Sequence, residues 1–303
     1  MPIRHDKEKN IWYFETEELK GILQPWGHHH GIRHLIHKPT NTEVTHPDFT
    51  LLNLYFLFAT GTCLASGRSV PKTVSGDEHA VRIRWEPTHL HKAELTACYQ
   101  VKEPNLIDLT LTVRAREVYP AYEALLSSYF DLSFRPYIYV SGSTYADPPD
   151  EPHWYTPMLH HLYKDNALVF PRDPQMARLH LDGRWGNVQS IYRWKSHQYY
   201  ALPLAIQANQ DQKIATVLMS RPEDCAAVCW TVGIADIKVS SYQSDHMDDP
   251  FNARNPLYMS LFGTDFQPGN RRTVRTRLAV TPLDEQMTTP LAAYKSFISE
   301  QEK

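Results

Sequence analysis

The chain has 303 residues, 42% of them hydrophobic and 21% charged, with a formal net charge of −3. This composition is typical of a globular protein with a substantial core, and the charge provides no general footprint for nucleic acid. No segment approaches the roughly 18 apolar residues of a membrane span, and the charged N-terminus, MPIRHDKEKNIWYFETEELKG, lacks the apolar stretch of a secretory signal. We therefore expect a cytoplasmic protein with neither nucleic acid nor membrane as a partner.

The first distinctive segment is WGHHHGIRHLIH at 26–37, which contains five histidines. Gly27 and Gly31 disfavour a helix, and the aromatic and β-branched surroundings favour a strand. In a strand, His28 and His30 would share one face about 7 Å apart and could bind one ion, but a zinc or iron site would need a third ligand from elsewhere. We expect no required cofactor. A divalent metal on His28 and His30 is the less favoured alternative to histidines that form ordinary hydrogen bonds or transfer protons.

The clearest periodicity lies in LIDLTLTVRAR, residues 106–116, where every second residue from Ile107 is apolar. Period two over this length predicts a strand with one buried and one polar face. Shorter runs of the same kind recur along the chain between turn residues, whereas 59–78, 141–165 and 240–258 are expected to be long loops. So many short strands predict an antiparallel sandwich or barrel. No repeat or linker divides the chain, so we predict a single domain over residues 1–303.

The strand predicted between Tyr122 and Asp131 has Glu123, Ser127 and Tyr129 on one face. A polar face on an interior strand suits a ligand cleft, and a solvent-facing strand is the alternative. Arg114, on the preceding strand, could hold a carboxylate or phosphate, or could pair with neighbouring acids on an exposed face.

Aromatic residues concentrate around 150 and 190, in segments too aromatic to be disordered. They are expected to form the wall of a pocket, where aromatic rings could stack on a sugar. The candidates are Trp154, Tyr155, Trp185 and Trp194. His161 and His197 lie near them in the sequence, and a histidine that titrates near neutrality is a natural acid or base.

Helical periodicity is scarce before the C-terminal tail. After Pro282, the sequence LDEQMTTPLAAYKSFISEQEK places Leu291, Tyr294, Phe297 and Ile298 on one face. This pattern predicts a short helix that packs on the outside of the β-structure.

Three segments resemble galactose mutarotase-like proteins. HGIRHLIHKPTNTEVTHP resembles their first hairpin, YEALLSSYFDLSFRPYIYV fits their central strands, and LYMSLFGTDFQPGNRRTVRTRLAV resembles their closing segment, in which a Pro-Gly turn precedes a long final strand. The resemblance implies an all-β fold, an antiparallel β-supersandwich with carbohydrate bound on one sheet, here with a short C-terminal helix.

The same resemblance shapes the functional prediction. Its superfamily includes aldose and sugar-phosphate epimerases and domains of glycoside hydrolases and polysaccharide lyases, and true aldose epimerases carry a late catalytic Glu that has no match here. We predict a sugar epimerase or isomerase with His30, Glu123, His161 and His197 as its titrating groups. The alternatives are a lyase or hydrolase of glycosidic linkages and a non-catalytic carbohydrate-binding protein. A metal-dependent cupin is disfavoured, and a homodimer would cover exposed sheet edges.

Overall fold

The structure is a computed structural model that describes residues 3–142, 151–156, 166–185, 192–195, 198–231 and 255–301. The first strands in chain order are β1 (Arg4–Asp6), β2 (Ile11–Glu15), β3 (Leu19–Gln24), β4 (Gly31–His37), β5 (Thr42–Glu43), β6 (Asn53–Ala59), β7 (Thr62–Ser66), β8 (Lys72–Gly76), β9 (Val81–Trp85), β10 (Ala93–Lys102), β11 (Leu106–Ala115), β12 (Tyr119–Tyr129) and β13 (Arg135–Val140). The remaining elements are β14 (His153–Tyr155), β15 (Asn166–Pro171), α1 (Pro174–Leu179), β16 (Tyr192–Lys195), β17 (Tyr200–Asn209), β18 (Ile214–Ser220), β19 (Cys225–Thr231), β20 (Pro256–Phe266), β21 (Arg271–Pro282) and α2 (Thr288–Gln301).

These strands form three sheets. Strands β1 to β5 make an N-terminal sheet in chain order. A nine-stranded sheet has the order β14-β13-β17-β18-β21-β11-β10-β9-β8, and a seven-stranded sheet has the order β16-β15-β19-β20-β12-β6-β7. Neighbouring strands are antiparallel apart from the parallel pair β15 and β16. The predicted all-β, antiparallel architecture with a short C-terminal helix is confirmed.

One hydrophobic core lies between the two large sheets. The alternation in β11 is confirmed, because Ile107, Leu109, Leu111 and Val113 all point into this core and are buried. Side chains from the inner face of the seven-stranded sheet and from one face of the N-terminal sheet complete it. Burial of alternate apolar residues on two facing sheets is the main stabilising term of a sandwich.

The helix α2 covers part of the outer face of the nine-stranded sheet. Tyr294 and Phe297 are buried there, and Leu291 and Ile298 pack beside them, which confirms the predicted apolar face. Arg277 on β21 lies beneath the helix and forms ion pairs with carboxylates of both the sheet and α2. In the parts of the chain that the structure describes, neither helix is long and apolar enough to cross a membrane.

Three segments differ from the sequence prediction, and one of them is 141–165, which was expected to be a loop but contains β14. Residues 26–29 form a bend rather than a strand, because Gly27 and Gly31 have φ of +80° and +125° and turn the chain before β4 begins. His28 and His30 therefore do not share a strand face. Residues 59–78, expected to be a loop, contain β7 and β8. Both are edge strands that bury few side chains, so their sequences show little of the alternation of apolar and polar residues that predicts a strand.

Candidate functional site

The outer face of the seven-stranded sheet carries buried polar side chains. On β12, Ala124 and Leu126 point into the core, which leaves Glu123, Ser127 and Tyr129 on the outer face, as the sequence predicts. These three residues are at most 2% exposed, so the alternative of a solvent-facing strand is wrong.

Two neighbouring residues form a polar floor on this face. Asn53 on β6 is the cross-strand partner of Ser127, and both are fully buried. Asn53 Nδ2 donates to Thr50 Oγ1 at 3.3 Å, but Asn53 Oδ1 and Ser127 Oγ have no hydrogen-bond partner among the residues described. Most buried polar atoms in proteins are satisfied, so two unsatisfied oxygens on paired residues make this position a candidate for a bound water or ligand.

A closed chain of side-chain contacts includes residues on β6, β12 and β20 next to Asn53 and Ser127, and we call it the wall. In order of contact, its members are Tyr55, Tyr258, Tyr129, Phe49, His29, His28 and Arg68. Ring centroids of successive members lie 4.6 to 6.3 Å apart as far as His28. Arg68 Nη1 then lies 3.4 Å from His28 Nε2, and its guanidinium lies 4.0 Å above the ring of Tyr55, which closes the chain.

Four basic residues, His28, His30, Arg68 and Lys72, form what we call the basic cluster. His30 is fully buried, and its Nε2 accepts the backbone N–H of Leu54 at 3.1 Å. Lys72 Nζ lies 3.4 Å from His30 Nδ1, and it donates to the carbonyl oxygen of Gly27. Burial lowers the pKa of Lys72 to about 8, and burial together with the Lys72 and Arg68 charges lowers the pKa of His30 well below its usual value. His30 is therefore neutral at physiological pH.

The same contacts bear on the metal alternative. His28 Nε2 faces the guanidinium of Arg68, and the two ring nitrogens of His30 face an N–H group and the amine of Lys72. Neighbouring positive charge opposes a bound cation, so the pair does not fit a metal site. Among the described residues, no three His, Cys, Asp or Glu side chains are grouped to hold one ion.

Glu123 lies in a buried ionic network on this face. Its Oε2 accepts from Arg184 Nη1 at 3.2 Å and from Trp185 Nε1 at 3.4 Å, and its Oε1 lies 3.8 Å from His180 Nε2. Arg184 also binds Asp182 through Nε and Nη2. Burial alone would raise the pKa of Glu123, but contacts with His180, Arg184 and Ser260 outweigh it and lower the pKa. The carboxylate is thus ionised and anchors the segment that carries Trp185 onto the sheet.

Of the residues predicted to bind substrate, the structure places Tyr129 and Trp185 on this face. Trp154 packs against Tyr139 on the outer face of the nine-stranded sheet, and Tyr155 packs toward the core against Phe170. The two therefore lie away from the wall.

Arg114 is exposed on the nine-stranded sheet opposite Glu94, the arrangement of a solvent-facing charge pair. Trp194 lies on β16, where only the backbone is described. His161 and His197 lie outside the described residues.

Sequence reasoning missed several residues of this face. Asn53, Arg68 and Lys72 come from β6 and from the edge-strand region that was expected to be a loop, so no periodicity marked them. Arg184 immediately precedes Trp185, and only the tertiary fold brings it to Glu123. A basic pair four residues apart, Arg68 and Lys72, with no acidic residue between them, was the available signal.

No known protein family and no curated protein matches this chain in sequence. Solved structures, however, share its fold over most of its length. A galactose mutarotase related enzyme from Lactobacillus acidophilus is 10% identical and covers 91% of this chain and 99% of its own, with a TM-score of 0.53. An aldose epimerase homologue from C. elegans is 9% identical and covers 90% of this chain and 100% of its own, with a TM-score of 0.52. The chain therefore has the galactose mutarotase-like fold, a sandwich of large antiparallel β-sheets with a short C-terminal helix.

Proposed function

We propose that this protein is a carbohydrate-active enzyme that binds a sugar on the outer face of the seven-stranded sheet and acts on it as an epimerase or isomerase. The polar floor of Asn53 and Ser127 next to the aromatic wall is the observation that carries this proposal. Sugar hydroxyls can donate hydrogen bonds to unsatisfied oxygens, and the apolar face of a sugar ring packs on aromatic side chains. The fold that the chain shares with epimerase-like structures supports a sugar as the ligand.

Proton transfer requires one group that takes a proton and another that returns it. His30 is enclosed and neutral, and its Nε2 accepts the backbone N–H of Leu54, so we assign it no role in proton transfer. Glu123 is held by Arg184 and Trp185, and we assign it the positioning of Trp185. His161 and His197 are our candidates for the imidazoles that transfer protons, and the reaction as proposed requires no cofactor.

A non-catalytic carbohydrate-binding protein is the second candidate. The observation that favours it is that Glu123 Oε2 and His30 Nε2, on the two predicted catalytic residues that the structure describes, already have hydrogen-bond partners within the protein. A lyase or hydrolase would use the same cleft on a longer substrate.

The test is a panel of aldoses and uronic acids followed by proton NMR. Saturation transfer reports binding, while exchange between anomers or epimers, or incorporation of deuterium from the solvent, reports turnover. Ser127→Ala and Tyr129→Phe are expected to weaken binding about tenfold, whereas Ser75→Ala, a matched change on the exposed strand β8, should have no effect. His161→Asn and His197→Asn should abolish turnover and retain binding.

The outcomes separate the candidates. Binding with turnover supports the enzyme, and binding without turnover across the panel supports the binding protein. Absence of binding, or binding that Ser127→Ala and Tyr129→Phe leave unchanged, contradicts the site.

A further inference from the structure

The basic cluster is not balanced by negative charge. Within the described residues, no carboxylate forms an ion pair with Arg68 or Lys72, whereas exposed Arg82, Arg84 and Arg116 all have one. A positive side chain that is partly buried without a counter-ion reduces the stability of the folded protein. Proteins keep such side chains chiefly where a ligand supplies the missing negative charge.

The guanidinium of Arg68 also has donors without acceptors. Its Nε and Nη2 are shielded from bulk water and have no partner among the residues described, while Nη1 is directed to His28. The guanidinium packs on the ring of Tyr55, and this contact restricts its orientation. Nε and Nη2 form one edge of the guanidinium fork, whose geometry matches two oxygens of a carboxylate, sulfate or phosphate.

A second donor pair is formed by His30 and Lys72. Because His30 Nε2 accepts from Leu54, the Nδ1 of this neutral ring carries the proton. That N–H faces Lys72 Nζ at 3.4 Å, so two donors face each other. An oxygen atom of a ligand placed beside them could accept a hydrogen bond from each donor.

We propose that the basic cluster binds the anionic substituent of an acidic sugar, with Arg68 as the bidentate donor and Lys72 as the counter-charge. This inference rests on the proposed function, because the sugar ring would occupy the adjacent floor and wall. Arg68 belongs to both features: it closes the wall above Tyr55, and it is a member of the basic cluster. The substituent is a negatively charged oxygen group, which a uronate carboxylate and a sulfate ester both provide.

The experiment measures affinity by isothermal titration calorimetry at pH 7. The probes are D-galacturonate, D-galactose 6-sulfate, D-galactose, inorganic sulfate and inorganic phosphate. The acidic sugars are expected to bind at least tenfold more tightly than galactose, and whichever binds more tightly identifies the source of the anion. Arg68→Gln and Lys72→Gln should each remove this preference, measured as the ratio of the affinities of one variant for the acidic sugar and for galactose.

The matched control is Arg84→Gln, which removes the same charge from an exposed residue of β9. It should keep the preference for acidic sugars. Arg68→Lys, which keeps the charge but loses the bidentate fork, should retain only part of the preference, and it serves as the second variant if Arg68→Gln fails to fold by circular dichroism.

The outcomes distinguish a failure of the anion site from a failure of the proposed function. Equal affinity for galactose and both acidic sugars refutes the anion site but leaves a sugar site. Binding of sulfate or phosphate that depends on Arg68, without binding of any sugar, supports the anion site and refutes the carbohydrate function. If no probe binds in a manner that depends on Arg68 or Lys72, the proposal is wrong.

Discussion

Replacement of Glu123 by Gln tests the ionic network beneath the candidate site. The substitution keeps the size of the side chain but removes the charge that faces Arg184. Breaking a buried ion pair costs about 3–5 kcal/mol, and Arg184 keeps Asp182 and the carbonyl oxygen of Ala121 as partners, which favours the lower end of this range. We therefore expect the free energy of unfolding to fall by about 3 kcal/mol.

This loss can be expressed as a melting temperature. With an unfolding entropy of about 2.1 cal/mol/K per residue over 303 residues, about 3 kcal/mol corresponds to a Tm lower by about 5 °C. The assay is urea unfolding followed by tryptophan fluorescence, with thermal melts alongside. Glu117→Gln, which removes one member of an exposed pair with Lys92, is the control and should change stability by less than about 0.5 kcal/mol.

The pH dependence gives an independent check. The pKa of Glu123 is lowered in the folded state, so its stabilising contribution is present above the usual value of 4.5 and is lost as the pH falls below it. The difference between wild type and Glu123→Gln should therefore narrow in acid. A variant as stable as wild type at pH 7 would refute the claim that an ionised Glu123 anchors Arg184 and Trp185.

Three further predictions follow from other parts of the fold. Phe297→Ala should destabilise the protein by about 3–4 kcal/mol in urea unfolding because this ring is buried beneath α2, whereas exposed Ser299→Ala should change little. Gly31→Ala should lower the free energy of unfolding by at least about 3 kcal/mol or prevent soluble expression, because φ is +125° and an added Cβ would clash with the backbone carbonyl oxygen of Leu51. Gly269→Ala, at φ +87° with open space around the added Cβ, should cost about 1 kcal/mol, and equal melting temperatures for the two variants would contradict this reasoning. Affinity for D-galacturonate should fall roughly tenfold between pH 7 and pH 9 as Lys72, whose pKa is lowered to about 8, loses its proton, whereas the pKa values of His28 and His30 are both lowered from the ordinary histidine value; a flat profile would exclude Lys72 from the site.

The sequence predicted those strands and helices in which one face is buried and the other is not. The alternation in β11 and the apolar face of α2 follow from the requirement that each element bury one side, and a single sequence displays this periodicity directly. The polar face of β12 was predicted for the same reason, because Glu123, Ser127 and Tyr129 occur at positions where a sandwich strand would ordinarily be apolar or exposed.

Features set by distant contacts could not be predicted in this way. Trp154 and Tyr155 are adjacent in sequence yet point to opposite faces of an edge strand, so proximity in the sequence did not place them together. The bend at 26–29 depends on two glycine conformations, and the orientation of His30 depends on the backbone of β6. Arg68 reaches the wall only because the chain passes from the edge of one large sheet to the edge of the other between β7 and β8.

The position of β21 in the nine-stranded sheet has a consequence for biosynthesis. Of the nine strands of this sheet, β21 is the last to be translated, yet it lies between β11 and β18 and pairs with both. Until it leaves the ribosome, the two halves of the sheet have no common partner, and the backbone groups of β11 and β18 remain unpaired on one side. Such nascent edges can associate with other chains. The nine-stranded sheet therefore cannot be completed until β21 has been translated, and before then β11 and β18 are the strands most exposed to wrong pairing.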